Sequence, residues 1–207
     1  MMDRKDLRKR LLKKSKEQIE ENLSETEVQI IKAVRIISDL DEINNLLNEG
    51  IKDWEKRAPT TNAITLLENL KKNRNSMEEE RDSIAEFIET EMTKEFANFS
   101  YICGSILGAR LLAEAGSKRK LAFAPASTIQ VLGAEKALFN HLKRKTSPPK
   151  HGHIFNHPLI QKLPKNKRGK ASRILAGKLS IAAKMDYFGA ELDKTIKTEV
   201  EKKVHKL

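Results

Sequence analysis

From Ile30 to Trp54 the apolar positions fall at Ile30, Ala33, Ile37, Leu40, Leu47, Ile51 and Trp54, and Asn44 fills the one polar place in an unbroken three–four alternation. Such a repeat marks a coiled-coil seam. Ile19 and Leu23 extend it backwards, so a long helix is expected from about Ile19 to Trp54. A polar side chain at a core position costs stability but fixes register and partner number, the role expected of Asn44. The run Arg57-Ala58-Pro59-Thr60-Thr61-Asn62 interrupts the helix, because Pro59 lacks a donor and biases Ala58 away from helical dihedrals. A second helix is expected from about Ile64 to Phe99, with Leu67, Leu70, Met77, Ile84 and Ile88 on one stripe that Arg74 and Arg81 break. Two long helices around a short break predict an antiparallel hairpin over residues 17–99 with arms of roughly 50 Å.

The pattern then changes. Tyr101 to Glu114 is apolar nearly all round, which predicts a core helix, with Gly104 and Gly108 allowing close approach and Gly116 ending it. Ser117 to Ala124 reads as a basic connector. Pro125 to about Leu142 reads as a loop and helix turned at Gly133. Its Ile129, Val131, Leu132, Ala137, Leu138 and Phe139 exceed what one helix needs for core contact, although most are expected to be core. Lys143 to Pro164 is a long irregular loop, of the kind that is usually functional in a compact domain. Arg168 to about Phe188 predicts the last domain helix, with Ile174, Leu175, Leu179, Ile181 and Ala182 inward and Lys170, Arg173, Lys178 and Lys184 around the rim. Residues 189–207 alternate in charge and are expected to form a frayed helical tail. The fold class is all-α: a long hairpin followed by a compact helical domain over residues 100–188.

Charge separates these parts. The chain carries a net +11, distributed as +6 over residues 1–16, −10 over 17–99, +14 over 100–186 and +1 over 187–207. A −10 segment repels nucleic acid, whereas a +14 domain attracts phosphates and gains from counterion release. The basic leader, with Leu7, Leu11 and Leu12 at helical spacing, is expected to be a frayed extension. Glu114, Glu135 and Asp186 are the only carboxylates between Ser100 and Asp186. They are too few and scattered to suggest catalysis, and no phosphate-cradling glycine loop, Ser-His-Asp or Cys-His signature is present. A scaffold is therefore expected, not an enzyme, with no cofactor. Cys103 is alone in an apolar run. His151, His153 and His157 lack a nearby cysteine or carboxylate, so no metal site is expected. No stretch approaches a membrane span.

Four words in this chain carry a resemblance: GSILGARLLAEAGS (Gly104 to Ser117), PASTIQVLGAEKALF (Pro125 to Phe139), PPKHGHIFNHPLI (Pro148 to Ile160) and RGKASRILAGKLSIAAKMDYF (Arg168 to Phe188). Together they resemble the Nop domain of box C/D guide ribonucleoprotein scaffold proteins and their spliceosomal relative. The match to the domain covers about residues 100–188, and a weaker match to the family's helical hairpin reaches back to about Val28. The resemblance implies recognition of a kink-turn RNA already bound by its kink-turn-binding protein. By it, Gln130, Lys136, Lys143, Arg144, Lys145, Lys150, His151, Arg168, Lys170 and Arg173 are expected on the RNA side. Leu132, Gly133, Ala134 and Glu135 are expected to face the partner protein. Ile30, Ile37, Leu40, Asn44, Leu47 and Ile51 would mediate self-association or pairing with a full-length paralogue. Family scaffolds carry a fibrillarin-recruiting domain before the hairpin. Only a short basic leader precedes Val28 here, so fibrillarin recruitment by that route is not expected. The resemblance implies a cytoplasmic protein if archaeal, or a nuclear or nucleolar one if eukaryotic. The competing reading is a coiled-coil dimeriser with a generic basic RNA- or protein-binding domain.

Overall fold

The three–four repeat folds into α1 (Thr26–Glu55), which runs antiparallel to α2 (Thr61–Glu95). This computed structural model describes residues 25–57 and 60–207. Ile19, Leu23, the basic leader, Ala58 and Pro59 lie outside the described residues. Of the expected seam, Ile30, Ala33, Ile37, Asn44 and Ile51 are buried, Leu40 and Leu47 are half-buried, and Trp54 is exposed. The two arginines that interrupt the second stripe tie the arms together instead. Arg81 Nε donates to Asp41 Oδ1 at 2.6 Å, and Arg74 Nη1 donates to Asn48 Oδ1 at 2.7 Å. Arg81 is held above its ordinary pKa first by that hydrogen bond to Asp41. Arg110 from the compact half reaches Asp41 as well, at 3.2 Å. One carboxylate thus links both arms to the domain.

The seam is used within the chain. Ile30, Ile31, Ala33, Val34 and Ile37 at the base of α1, and Ile88 and Met92 at the end of α2, belong to the same continuous core as the compact half. Hairpin and domain therefore share one core across the expected boundary at residue 99/100. The single apolar helix expected from Tyr101 to Glu114 is broken in two, as α3 (Ala97–Cys103) and α4 (Ser105–Ala115). Gly104 sits between them at φ +83°, a left-handed conformation that ends a helix, so its role is a corner and not a close contact. Gly108 does make the close approach: a Cβ there would lie 2.8 Å from Met92 Cε. At the other end of α3, Asp186 caps its first turn, its two oxygens accepting the backbone N–H groups of Asn98 and Phe99 at 2.9 and 2.8 Å.

The connector is also a helix, α5 (Lys118–Phe123), capped by Ser117 Oγ accepting from the Lys120 N–H at 3.1 Å. It is followed by α6 (Ala126–Val131), α7 (Glu135–Arg144), a 3-10 turn (His153–Asn156), α8 (Pro158–Gln161), α9 (Lys165–Tyr187) and α10 (Thr195–His205). Among the described residues there is no strand. On α9 Leu175, Leu179 and Ala182 are buried as expected, Ile174 is half-buried and Ile181 is exposed. Lys178 is not simply solvated; it pairs with Glu199. The expected frayed tail is α10, and Ile196, Val200 and Val204, spaced by four, join the core. Charge alternation on its outer face concealed that stripe. No described helix is long and apolar enough to cross a membrane.

Candidate ribonucleoprotein interface

The turn between α6 and α7 organises the basic half. Gly133 takes φ +83°, which a side chain resists. Its N–H donates to Glu135 Oε1 at 2.7 Å, and the Ala134 N–H donates to the Val131 carbonyl at 2.9 Å. The segment after α7 returns over this turn. Gly152 N–H donates to the Gln130 carbonyl at 2.9 Å, His153 N–H donates to the Leu132 carbonyl at 2.7 Å, and Gln130 Nε2 donates to the Lys150 carbonyl at 2.7 Å. The approach is so close that a Cβ on Gly152 would fall 1.9 Å from the Leu132 oxygen. A Cβ on Gly133 would meet the His153 ring at 2.2 Å. Two glycines therefore permit the loop and the α6–α7 turn to lie against each other.

Where the loop meets α6 and the start of α9, a cleft of about 510 Å³ opens, lined by Ser127, Gln130, Pro148, Lys150, Lys170 and Arg173 among others. It gathers four of the expected RNA-side residues. Helix α9 begins at this cleft with no acidic residue in its first turn and no side-chain cap, yet with Lys165, Lys167, Arg168 and Lys170 near its start. Cations beside the positive end of a helix dipole repel it, and a bound phosphate relieves both charges at once. Lys136, Lys143, Arg144 and Lys145 are exposed on or beside α7. None of the four lines the cleft, although Val131 before α7 and Ser147 after it do.

Arg168 also makes contacts within its own chain. Its Nε donates to the Leu163 carbonyl at 2.8 Å and its Nη2 to the Gln161 carbonyl at 3.3 Å, so it braces the chain before α9. His151 stacks on Phe155, ring centroids 4.8 Å apart, and the Arg168 guanidinium lies 5.2 Å from the same ring. Burial lowers the His151 pKa, and the nearby charges of Arg168 and Lys150 lower it further. The shift favours the neutral ring, which is already stacked on Phe155.

The other histidines serve the fold. His157 is buried, with Nε2 3.1 Å from the Ile102 carbonyl and Nδ1 accepting from the Leu159 N–H at 3.2 Å, so it caps α8. Burial is the main cause of its lowered pKa. His153 Nε2 pairs with Glu114 at 3.1 Å, and His141 closes the end of α7 against the Thr146 carbonyl. Among the described residues no cluster of His, Cys, Asp and Glu is arranged to hold a metal ion.

The expected partner-facing group is divided. Leu132 is buried in the core, and the carboxylate of Glu135 is occupied by Gly133. What is left open is α7 itself, a ten-residue helix with no buried residue. Leu138 is half-buried, while Phe139 and Leu142 are 61% and 73% exposed. Ala137, Leu138 and Phe139 are thus not core, and Leu142 was missed as a surface residue. An amphipathic helix with no fully buried residue leaves an apolar face open among the described residues. Ser127 and Asn166 also line the cleft, but no spacing in the sequence marked them.

A family model described as "Nop: snoRNA binding domain, fibrillarin" matches residues 3–206. A NOP5 family protein of Methanocaldococcus jannaschii is 48% identical over 133 residues, 64% of this chain and 32% of that protein. Nucleolar protein 56 of Caenorhabditis elegans is 39% identical over 171 residues, 83% of this chain and 32% of that one. The chain thus spans about a third of the length of these curated relatives. In a crystal structure of a fibrillarin/Nop5p complex, one chain superposes with a TM-score of 0.70 at 36% identity, covering 98% of this chain and 78% of that one.

Proposed function

We propose, from the premise that this chain belongs to the Nop family, that it is an RNA-binding ribonucleoprotein scaffold, which recognises a kink-turn RNA together with the kink-turn-binding protein already on it. One observation supports the composite part of this reading: among the described residues α7 leaves Phe139 and Leu142 exposed, while Gln130 and Val131 before it and Ser147 and Pro148 after it line the basic cleft. Phosphates of a stem would meet Lys150, Lys170 and Arg173, and the bound protein would cover Phe139 and Leu142. Duplex RNA hides its bases in a deep, narrow groove, so a clamp reads shape and backbone. Adding a protein surface supplies the selectivity that backbone contacts lack. No fibrillarin contact is assigned to the described residues. The reading puts the protein in the nucleolus of a eukaryotic cell, in keeping with relatives named nucleolar proteins, or in the cytoplasm of an archaeal one.

A gel shift on kink-turn RNA, with and without the kink-turn-binding protein, tests the reading. A supershift is expected only on the RNA–protein complex, and F139S/L142S is expected to abolish it while leaving the circular dichroism spectrum unchanged. Equal affinity for a bare duplex of any sequence would overturn composite recognition and favour a generic basic clamp.

Self-association is proposed to use the outer face of α1 instead of its buried seam. Ile36, Ile43 and Leu46 are 49%, 46% and 63% exposed, and a second copy would cover them. I43E is expected to give a monomer by sedimentation equilibrium where the wild type associates. An unchanged mass would place the contact elsewhere.

A further inference from the structure

At the far end of α9 from the cleft, Phe123, Tyr187 and Phe188 form a closed set of edge-to-face contacts. Their centroids are 5.4, 6.2 and 5.2 Å apart, at interplanar angles of 75 to 86°. Such a cluster normally lies in a core, yet here Phe123 is 58% and Phe188 71% exposed, and Tyr187 36%. The chain has only ten aromatic residues of Phe, Tyr and Trp type, so three on one open surface is not scatter. The rings are also firmly placed. Leu121 and Ala122 are fully buried directly before Phe123, and Ser180 Oγ donates to the Ala124 carbonyl at 3.2 Å, fastening the end of α5 to α9. Gly189, at φ +71°, turns the chain immediately after Phe188.

The surroundings indicate what would cover these rings. Lys184 lies one turn before Phe188 on α9, and Arg119 and Lys120 lie one turn before Phe123 on α5; all three are exposed. Asp186, between them in sequence, spends both oxygens on the Asn98 and Phe99 N–H groups, which leaves Glu191 as the nearest exposed acid in sequence. Open aromatic faces rimmed by cations suit unpaired nucleic-acid bases, because every base has a face to stack and a phosphate to neutralise. An apolar protein partner would leave these three charges unanswered.

We propose that Phe123, Tyr187 and Phe188 are a stacking platform for unpaired RNA bases, a second RNA contact distinct from the cleft. Fifteen residues of α9 separate Arg173 from Phe188, about 22 Å of helix. A strand leaving a stem held at the cleft can run along α9 and lay its bases on the rings. This inference rests on the RNA-binding reading, and the test separates the two.

The probes are the kink-turn RNA with its binding protein, either blunt-ended or with a ten-nucleotide unpaired extension containing 4-thiouridine. The extension is expected to tighten binding of the full chain on the order of ten-fold. Photocrosslinks should map to Phe123, Tyr187 or Phe188. F123A/F188A should lose that gain and bind the blunt complex as the wild type does. If the wild type fails to bind the blunt complex, the RNA-binding reading falls and the platform with it. If the blunt complex binds but the extension adds nothing, or F123A/F188A keeps the gain, only the platform is overturned. A change in self-association of F123A/F188A without any change in RNA affinity would likewise overturn it, in favour of a protein contact.

Discussion

Replacing Gly152 with alanine is expected to lower the unfolding free energy by about 3 kcal/mol and to weaken binding at the cleft at least ten-fold. The added methyl would sit 1.9 Å from the Leu132 oxygen, 2.6 Å from its carbon and 2.8 Å from the carbon of Val131. All three are backbone atoms, so no side chain can swing aside. The loop must withdraw, and withdrawal breaks the Gly152–Gln130 and His153–Leu132 hydrogen bonds. Each such bond contributes about 0.5–1.5 kcal/mol net, and leaving a partly buried partner unpaired costs more. Lys150 and His151 are carried on the same loop, so the cleft loses a wall as the fold loosens. G177A supplies the contrast. Gly177 lies inside α9 with nothing within 4 Å of the added carbon, and alanine there is expected to stabilise by about 0.5–1 kcal/mol through helix propensity. Urea unfolding of both variants checks the pair; midpoints that move together would discard the steric account.

The hairpin and the all-helical class were legible because burial in a helix leaves a period, and the period from Ile30 to Ile51 is nearly complete. What covers a stripe is a different matter. Ile31 and Val34 lie off the seam, yet both are buried, because α1 packs on α4 as well as on α2. A two-sided contact widens the apolar stripe without altering its period. At Gly104 the sequence suggests close packing and the structure has a corner, because a glycine in sequence does not show its φ. The tail was misjudged for the opposite reason: Ile196, Val200 and Val204 are only three apolar positions among many charges, and their burial depends on α3 and α9 being in place. At the interface, charge located the basic half and the family words located its turn. Which cations face outward was not legible. Lys150 and Arg168 are both cations in the basic half, but one lines the cleft and the other donates to two carbonyls of its own chain. Phe139 reads as core because an apolar residue on a helix usually is; it is surface because no described element covers α7.

That difference among cations sets up the second large effect. K150A/K170A/R173A is expected to flatten the salt dependence of binding, reducing the slope of log K against log salt by about 2–3. Each phosphate neutralised on a duplex contributes about 0.9 to that slope, and three lost contacts give the range. Since the electrostatic gain fades towards 1 M salt, the same slope implies a loss of affinity of roughly a hundred- to a thousand-fold at 0.1 M. K178A removes one charge where the triple variant removes three, and it is expected to leave the slope where it was, because Lys178 already answers Glu199, whose carboxyl it holds below its ordinary pKa. R168A should divide the two properties the other way, lowering stability through the lost carbonyl contacts while altering the slope little. Binding isotherms at four salt concentrations, together with a urea midpoint for each variant, measure all of this. If K178A flattens the slope by about a third as much as the triple variant does, the phosphates see only the net charge of the domain, and the cleft has no special standing.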